Sequence, residues 1–234
     1  MKEIAQIRKL SLWIFILPLF AINFCLYISI NYHIFENTIF VVDQIGRSGF
    51  TIPYLDGSIS ISRASRTYPQ FLIFKPSMIL TGILLIFYWN YNNHLMCHLK
   101  KTENLKYKFR IFGILSAVFL IIHSIFLGIK FDIQIYKLFR RVVLLLFIIF
   151  EIVAQGMLVY HLYKIKNILL GITNKKILYL KIFLVSVLGL VAVLSLPILI
   201  AKGNTHFKHG LEWNYFVGVI AFYLLTFFFW RRTT

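Results

Sequence analysis

The sequence predicts an all-α polytopic membrane protein: a single domain over residues 1–234, with six transmembrane helices and a long first extracytoplasmic loop. Composition and patterning both predict it. Apolar residues fill 59% of the 234 positions and charged residues 14%, where a soluble domain carries about 25% charged residues. A surface so poor in charge is solvated by lipid. There every backbone polar group must be satisfied within the protein, which leaves helices or a closed barrel. The apolar residues run on for about 20 positions instead of alternating in ten-residue segments, and that pattern selects helices.

The first run, 10–31, follows Lys2, Arg8 and Lys9, as the apolar core of a signal peptide would. It is too long for one, and bulky "NFCLYISIN" offers no small-residue cleavage site, so it reads as a retained helix. The next runs are 73–92, 111–129, 142–162, 178–200 and 212–230. Each crosses a hydrocarbon core of about 30 Å at roughly 1.5 Å per residue. Pro18 and Pro197 are lone breaks in the first and fifth runs. The loops after spans two to five are short, which predicts sequential packing of those helices.

The loop at 32–72 is the exception, and a loop of that length is uncommon without purpose. It carries turn chemistry at Gly46, Gly49, Pro53, Asp56-Gly57 and Pro69. Within it "SISIS" alternates with period two, predicting a short strand or an extended segment folded onto the helix ends. Ser58, Ser60 and Ser62 would lie on one face, Ile59 and Ile61 on the other.

Cations set the orientation, since cytoplasmic loops carry the excess of Lys and Arg. With both termini cytoplasmic, the inside segments hold the larger share: Lys2, Arg8 and Lys9, "KKTENLKYKFR", Lys164 to Lys181, and Arg231 and Arg232. Arg63, Arg66, Arg140 and Arg141 fall outside. The protein is thus expected in a plasma membrane, or an inner membrane if bacterial. The net charge of +17 does not point to nucleic acid. These cations flank apolar spans instead of interleaving with stacking aromatics on a soluble surface. They serve as topology signals and attract anionic lipid headgroups, at about 1 kcal/mol per basic residue near the surface.

Cys25 lies within a span and Cys97 in a loop, so the two are not expected to pair. "HLMCHLK" gathers His94, Cys97 and His98, but structural zinc wants four ligands and no second cluster supports them. No metal and no cofactor are expected. Phosphate-cradling glycine loops, a GxSxG elbow and HExxH are absent from the chain.

Two groups of polar residues remain. Glu151 lies near the middle of the fourth span, with Gln155 one turn further on the same face. A carboxyl group there faces the bundle and has a partner. His123 of the third span is the candidate partner, roughly 4–5 Å away in depth. The set is a structural interhelical hydrogen bond, a proton relay or a polar pocket for a ligand.

At the outer face Asp56, Ser58, Ser60, Ser62, Arg63, Arg66 and Glu212 are candidate ligand-binding residues, with Arg140, Arg141, His206 and His209 nearby. Guanidinium groups bind phosphate bidentately, so one reading is a lid whose serines and arginines receive a lipid headgroup. The other is that Asp56 caps its turn while the arginines pair with Asp56 and Glu212.

"PYLDG" (53–57), Pro69 and "FLIF" (71–74), within a long first loop followed by five spans, resemble the six-helix DRAM/Frag/Sfk family. "SISIS" is similar to a segment of the related lipid-remodelling factors for glycosylphosphatidylinositol-anchored proteins. "EWNYF" (212–216) is similar to the family's start to its sixth helix. The resemblance implies an association with lipid composition, membrane trafficking and autophagy. Three function classes follow, in order. The first is a non-enzymatic membrane protein that binds lipid or a protein partner and influences lipid organisation. The second is an intramembrane lipid-modifying enzyme, using Glu151 and His123, or Asp56 and the nearby histidines, as acid and base. The third is a small transporter coupled through Glu151.

Overall fold

The computed structural model describes residues 2–36, 38–39, 49–100, 107–129, 134–169, 171–201 and 203–231. Gly46 of the first loop, residues 101–106 of the second and Arg232 lie outside these. In chain order the helices are α1 (Lys2–Ile30), α2 (Pro53–Asp56), α3 (Ile61–Ser65), α4 (Phe71–Lys100), α5 (Lys108–Phe126), α6 (Gln134–Lys164), α7 (Lys175–Ile200) and α8 (Thr205–Phe229). The six long ones are each long and apolar enough to cross a membrane. This is an all-α, multi-pass membrane protein.

Most long helices overrun their apolar runs. α1 begins at Lys2 and α4 continues to Lys100, because the polar flanks hold no residue that breaks a helix. Pro18 and Pro197 sit inside continuous helices, as proline does where neighbouring helices re-satisfy the freed carbonyl.

The long helices form a closed ring. α1 packs on α4, α4 on α5, α5 on α6, α6 on α7, α7 on α8, and α8 returns to α1. Short loops thus give neighbouring helices, as the sequence predicts. Both chain ends lie on one face, called inner below. α2 and α3 lie on the opposite, outer face against α1 and α8. The β-pairing among the described residues is an isolated bridge, Thr173 with Trp230, and a 3-10 turn at Tyr32–Phe35 follows α1. Of the short strand or extended segment expected at "SISIS", no strand forms: Ile59 is a bend, Ser60 is extended, and the chain coils into α3 because Ser60 caps that helix. The segment's two faces do separate: Ile59 and Ile61 are buried, Ser58 is exposed, and Ser60 and Ser62 are half-buried.

Lipid offers apolar side chains no reason to leave it, so helices in a membrane associate by close packing and hydrogen bonds. Small residues supply the close packing. A methyl group at Gly113 of α5 would stand 2.3 Å from Cδ2 of Trp89 on α4, an indole with no exposed surface. Gly113→Ala therefore has to push α4 and α5 apart. The expected cost is about 1–3 kcal/mol, read as a lower midpoint of thermal unfolding in detergent.

Candidate functional site

Two polar assemblies stand out, one on the outer face and one in the centre of the ring. The outer one is a lid formed by residues 49–70. Pro53 opens α2, where its missing N–H costs nothing. Gly57 closes it at φ 58°, donating its N–H to Pro53 O at 3.1 Å.

The Asp56 carboxylate accepts from Ile52 N at 2.9 Å, Ser58 N at 2.8 Å and the Thr51 hydroxyl at 2.9 Å. Thr51 Oγ1 also contacts Ser58 Oγ. Ser60 Oγ accepts from Arg63 N at 3.2 Å and so starts α3. The Glu212 carboxyl of α8 lies against the backbone of Ile61 and Ser62.

Asp56 and the hydroxyls of Thr51, Ser58 and Ser60 are thus spent on the lid's own turns, while Ser65 Oγ is buried without a partner among the described residues. Asp56 caps its turn, as one of the two readings holds. The arginine pairing does not appear for Arg63: among the described residues it meets neither Asp56 nor Glu212. Arg63 is exposed, and Arg66 is half-buried with its carbonyl against Gly128.

The hydrogen-bond partners that lock the lid down come from α8 and α1. Trp213 Nε1 donates to Ile59 O at 2.8 Å, and Asn214 Nδ2 to Tyr54 O at 2.7 Å. His209 Nδ1 lies 3.0 Å from Gly57 O, and because a carbonyl only accepts, that nitrogen carries the proton. Tyr54 donates to Asn23 Oδ1 at 3.0 Å and sets its ring edge on Trp213, centroids 4.9 Å apart. Burial holds the Tyr54 phenol above its usual pKa, so it stays a donor. The anchors Trp213, Tyr54, Asn214 and Asn23 escape a sequence reading. Only "EWNYF" and "PYLDG" mark three of them, Trp213, Asn214 and Tyr54, and then through the family resemblance.

The hydrogen bond from Ser58 N is the main reason the Asp56 carboxyl titrates far below its ordinary value of 3.8, at about 2. A carboxyl depressed in the folded state adds stability above its unfolded value and loses it as pH falls through the folded one. The lid turn is expected to be indifferent to pH above about 4 and to loosen between about 4 and 2. An NMR titration of the labelled Asp56 carboxyl carbon checks it, and Asp56→Asn should abolish the dependence.

The central assembly is buried. Glu151 of α6 has no exposed surface. Its carboxyl receives the Tyr223 hydroxyl of α8, Ser116 Oγ of α5 at 2.5 Å and Gln155 Nε2 at 3.0 Å. Gln155 also reaches Val219 O of α8 at 3.2 Å. The expectation that Glu151 faces the bundle and has partners holds. His123 is not one of them. It stands seven residues along α5 from Ser116, about 10 Å further out, and faces the backbone of Arg140 with Nδ1 buried and unpartnered. α6 starts at Gln134, eight residues ahead of the predicted 142, so Arg140 and not Glu151 lies level with His123.

One turn inward from Tyr223, Thr226 Oγ1 accepts from Lys181 Nζ of α7 at 2.8 Å and lies 3.3 Å from the hydroxyl of Tyr88 on α4. The Tyr88 and Tyr223 rings meet edge to face at 5.0 Å. Lys181 Nζ sits over the Phe222 ring at 4.1 Å, an attractive placement for a cation. Lys181, which the sequence offers as one of the inside topology cations, has no exposed surface and belongs to the core. A lysine six residues beyond the start of a helix that has just turned apolar was the available signal.

The structure therefore brings Asp56, Ser58, Ser60 and Glu212 together with His209, and Glu151 with Gln155. Arg140 and Arg141 lie on α6, which is no neighbour of the lid helices. No group of three His, Cys, Asp or Glu among the described residues is placed to hold a metal ion. Comparison of the chain with known protein families, with characterised proteins and with solved structures finds no match in any of the three.

Proposed function

We propose that this is a non-enzymatic membrane protein whose lid contacts lipid at the extracytoplasmic surface and thereby influences lipid organisation. One observation carries the reading. The lid's polar groups are bonded mostly to its own turns and to α8 and α1, while apolar side chains turn outward: Phe50 is 87% exposed, Leu55 85% and Ile52 46%. A loop built for water does the reverse. Next to lipid, apolar side chains on a short amphipathic helix bury into the headgroup boundary, and exposed Arg63 suits a headgroup phosphate. The resemblance to the DRAM/Frag/Sfk family, with its link to lipid composition, agrees with this.

The test is lipid retained on purification. Phospholipid bound per protein is expected to fall several-fold in Phe50→Ser/Leu55→Ser/Arg63→Ala relative to wild type, at matched expression and unfolding temperature. Equal retention would overturn the proposal.

A second reading, a proton relay within a small transporter, is favoured by the buried set alone. Glu151 and Lys181 are buried ionisable groups linked through residues three apart on α8. Such groups inside a membrane mark proton paths in pumps and transporters.

A further inference from the structure

The inner face carries a second feature. The turn between α6 and α7 is stitched to the end of α8 by two backbone hydrogen bonds. Asn174 N donates to Phe229 O at 2.9 Å and Arg231 N to Ile172 O at 3.0 Å, which pairs Thr173 with Trp230 as an isolated bridge. This pins the start of α7 beside the residue that follows α8.

Between them opens a cavity of about 460 Å³ lined by Gly171, Thr173, Asn174, Lys175, Lys176 and Arg231. That volume lies in the range of small-ligand sites, roughly 300–1,000 Å³. Three of the six lining residues are cations and none is an acid. The three basic side chains meet no carboxylate among the described residues. Asn174 already caps the first turn of α7, accepting from Lys176 N at 3.1 Å, so the charge here is that of the side chains.

Like charges gathered round one concavity repel one another unless an anion joins them. An arginine offers a phosphate two parallel N–H groups, and the lysines offer point charges. The cavity also stands at the depth of the headgroups, since the apolar run of this span begins three residues further on, at 178. Basic pockets between helices at that level take anionic headgroups.

We propose that Lys175, Lys176 and Arg231 form a phosphate-binding site at the junction of α7 and α8, independent of the lid. The phosphate comes from an anionic phospholipid or from a soluble phosphate ester, and the experiment separates the two. Full-length protein is placed in nanodiscs of phosphatidylcholine with or without phosphatidylglycerol, and bound lipid is read by native mass spectrometry. The control variant, Lys164→Ala/Lys166→Ala, removes inner-face charge outside the cavity.

Wild type and control are expected to retain phosphatidylglycerol, and Lys175→Ala/Lys176→Ala/Arg231→Ala to lose it about tenfold or more. If the triple variant is not recovered folded, Arg231→Ala alone is expected to lose several-fold. In a parallel arm, lipid-free protein in detergent is titrated with glycerol 3-phosphate. Stabilisation of wild type but not of the triple variant, without a preference for phosphatidylglycerol, supports the site and assigns it a soluble ester. Equal phosphatidylglycerol retention in all three proteins with no response to glycerol 3-phosphate overturns the site. An equal loss in the control overturns it too, and leaves only diffuse attraction of the inner face.

Discussion

Glu151→Ala is expected to be the most damaging single change in the ring. Glu151 joins three helices at one point: α6 through itself and Gln155, α5 through Ser116, and α8 through Tyr223. Removing the carboxyl strands the Tyr223 hydroxyl and frees one hydrogen of the Gln155 amide, both fully buried. A buried unsatisfied polar group costs about 1–3 kcal/mol, although a hydrogen bond between membrane helices is worth nearer 0.6–2 kcal/mol. The side-chain volume lost adds to that. A total near 3 kcal/mol follows, read as a lower midpoint in detergent unfolding.

Glu151→Gln keeps the volume, an acceptor for Tyr223 and a donor for Ser116. It should cost about 1 kcal/mol or less. An alanine variant as stable as wild type would contradict the network. A glutamine variant that folds normally yet loses a measurable proton flux would move Glu151 from structural joint to relay.

The second large effect is expected at Gly57. Its φ of 58° is one an alanine adopts at a cost of roughly 1–2 kcal/mol. The greater obstacle is space. A methyl group there would stand 1.8 Å from His206 O and 2.9 Å from Gly210 N, both backbone atoms of α8 that no rotamer change can clear. The lid has to lift, and with it go the bonds from Trp213, His209 and Asn214. Hydrogen exchange of the Arg63 and Ala64 amides, which are bonded to Ser60 O in the native lid, should accelerate at least about tenfold. Gly203→Ala is the control, with φ 87° and open space around it. It carries the conformational cost alone and should leave the lid amides protected.

Where the chain was legible, one physical demand dominated. Twenty apolar residues in lipid have to be a helix, so the six spans could be read directly. Their ends ran further than the apolar runs because helical backbone continues into the headgroup region. Glu151 and Gln155 were legible as polar residues in an apolar run.

Their partners were not. Ser116 and Tyr223 look ordinary in sequence and matter only because α5, α6 and α8 meet at one depth. The choice of His123 failed on that depth, since α6 begins at 134 and carries Arg140 to its level. Lys181 looked like one more boundary cation because charge alone does not say which way a helix face points. In the lid, Pro53 and Asp56-Gly57 announced the turn. The sequence held no sign that the hydroxyls would be consumed within it, leaving Phe50, Leu55 and Arg63 as the exposed surface.

That exposed surface supplies the most direct measurement. A nitroxide is placed at Leu55 through Leu55→Cys, with Cys97 replaced by alanine; Cys25 is buried and free. The labelled protein is studied in nanodiscs by power saturation, with oxygen as the lipid-soluble relaxant and a nickel chelate as the water-soluble one. Oxygen collisions that outweigh nickel collisions, as at the headgroup boundary, are the result predicted for a lid that rests on lipid. Nickel collisions as frequent as in bulk water would contradict it, and would leave the lid a plug on the helix ends with no lipid to organise.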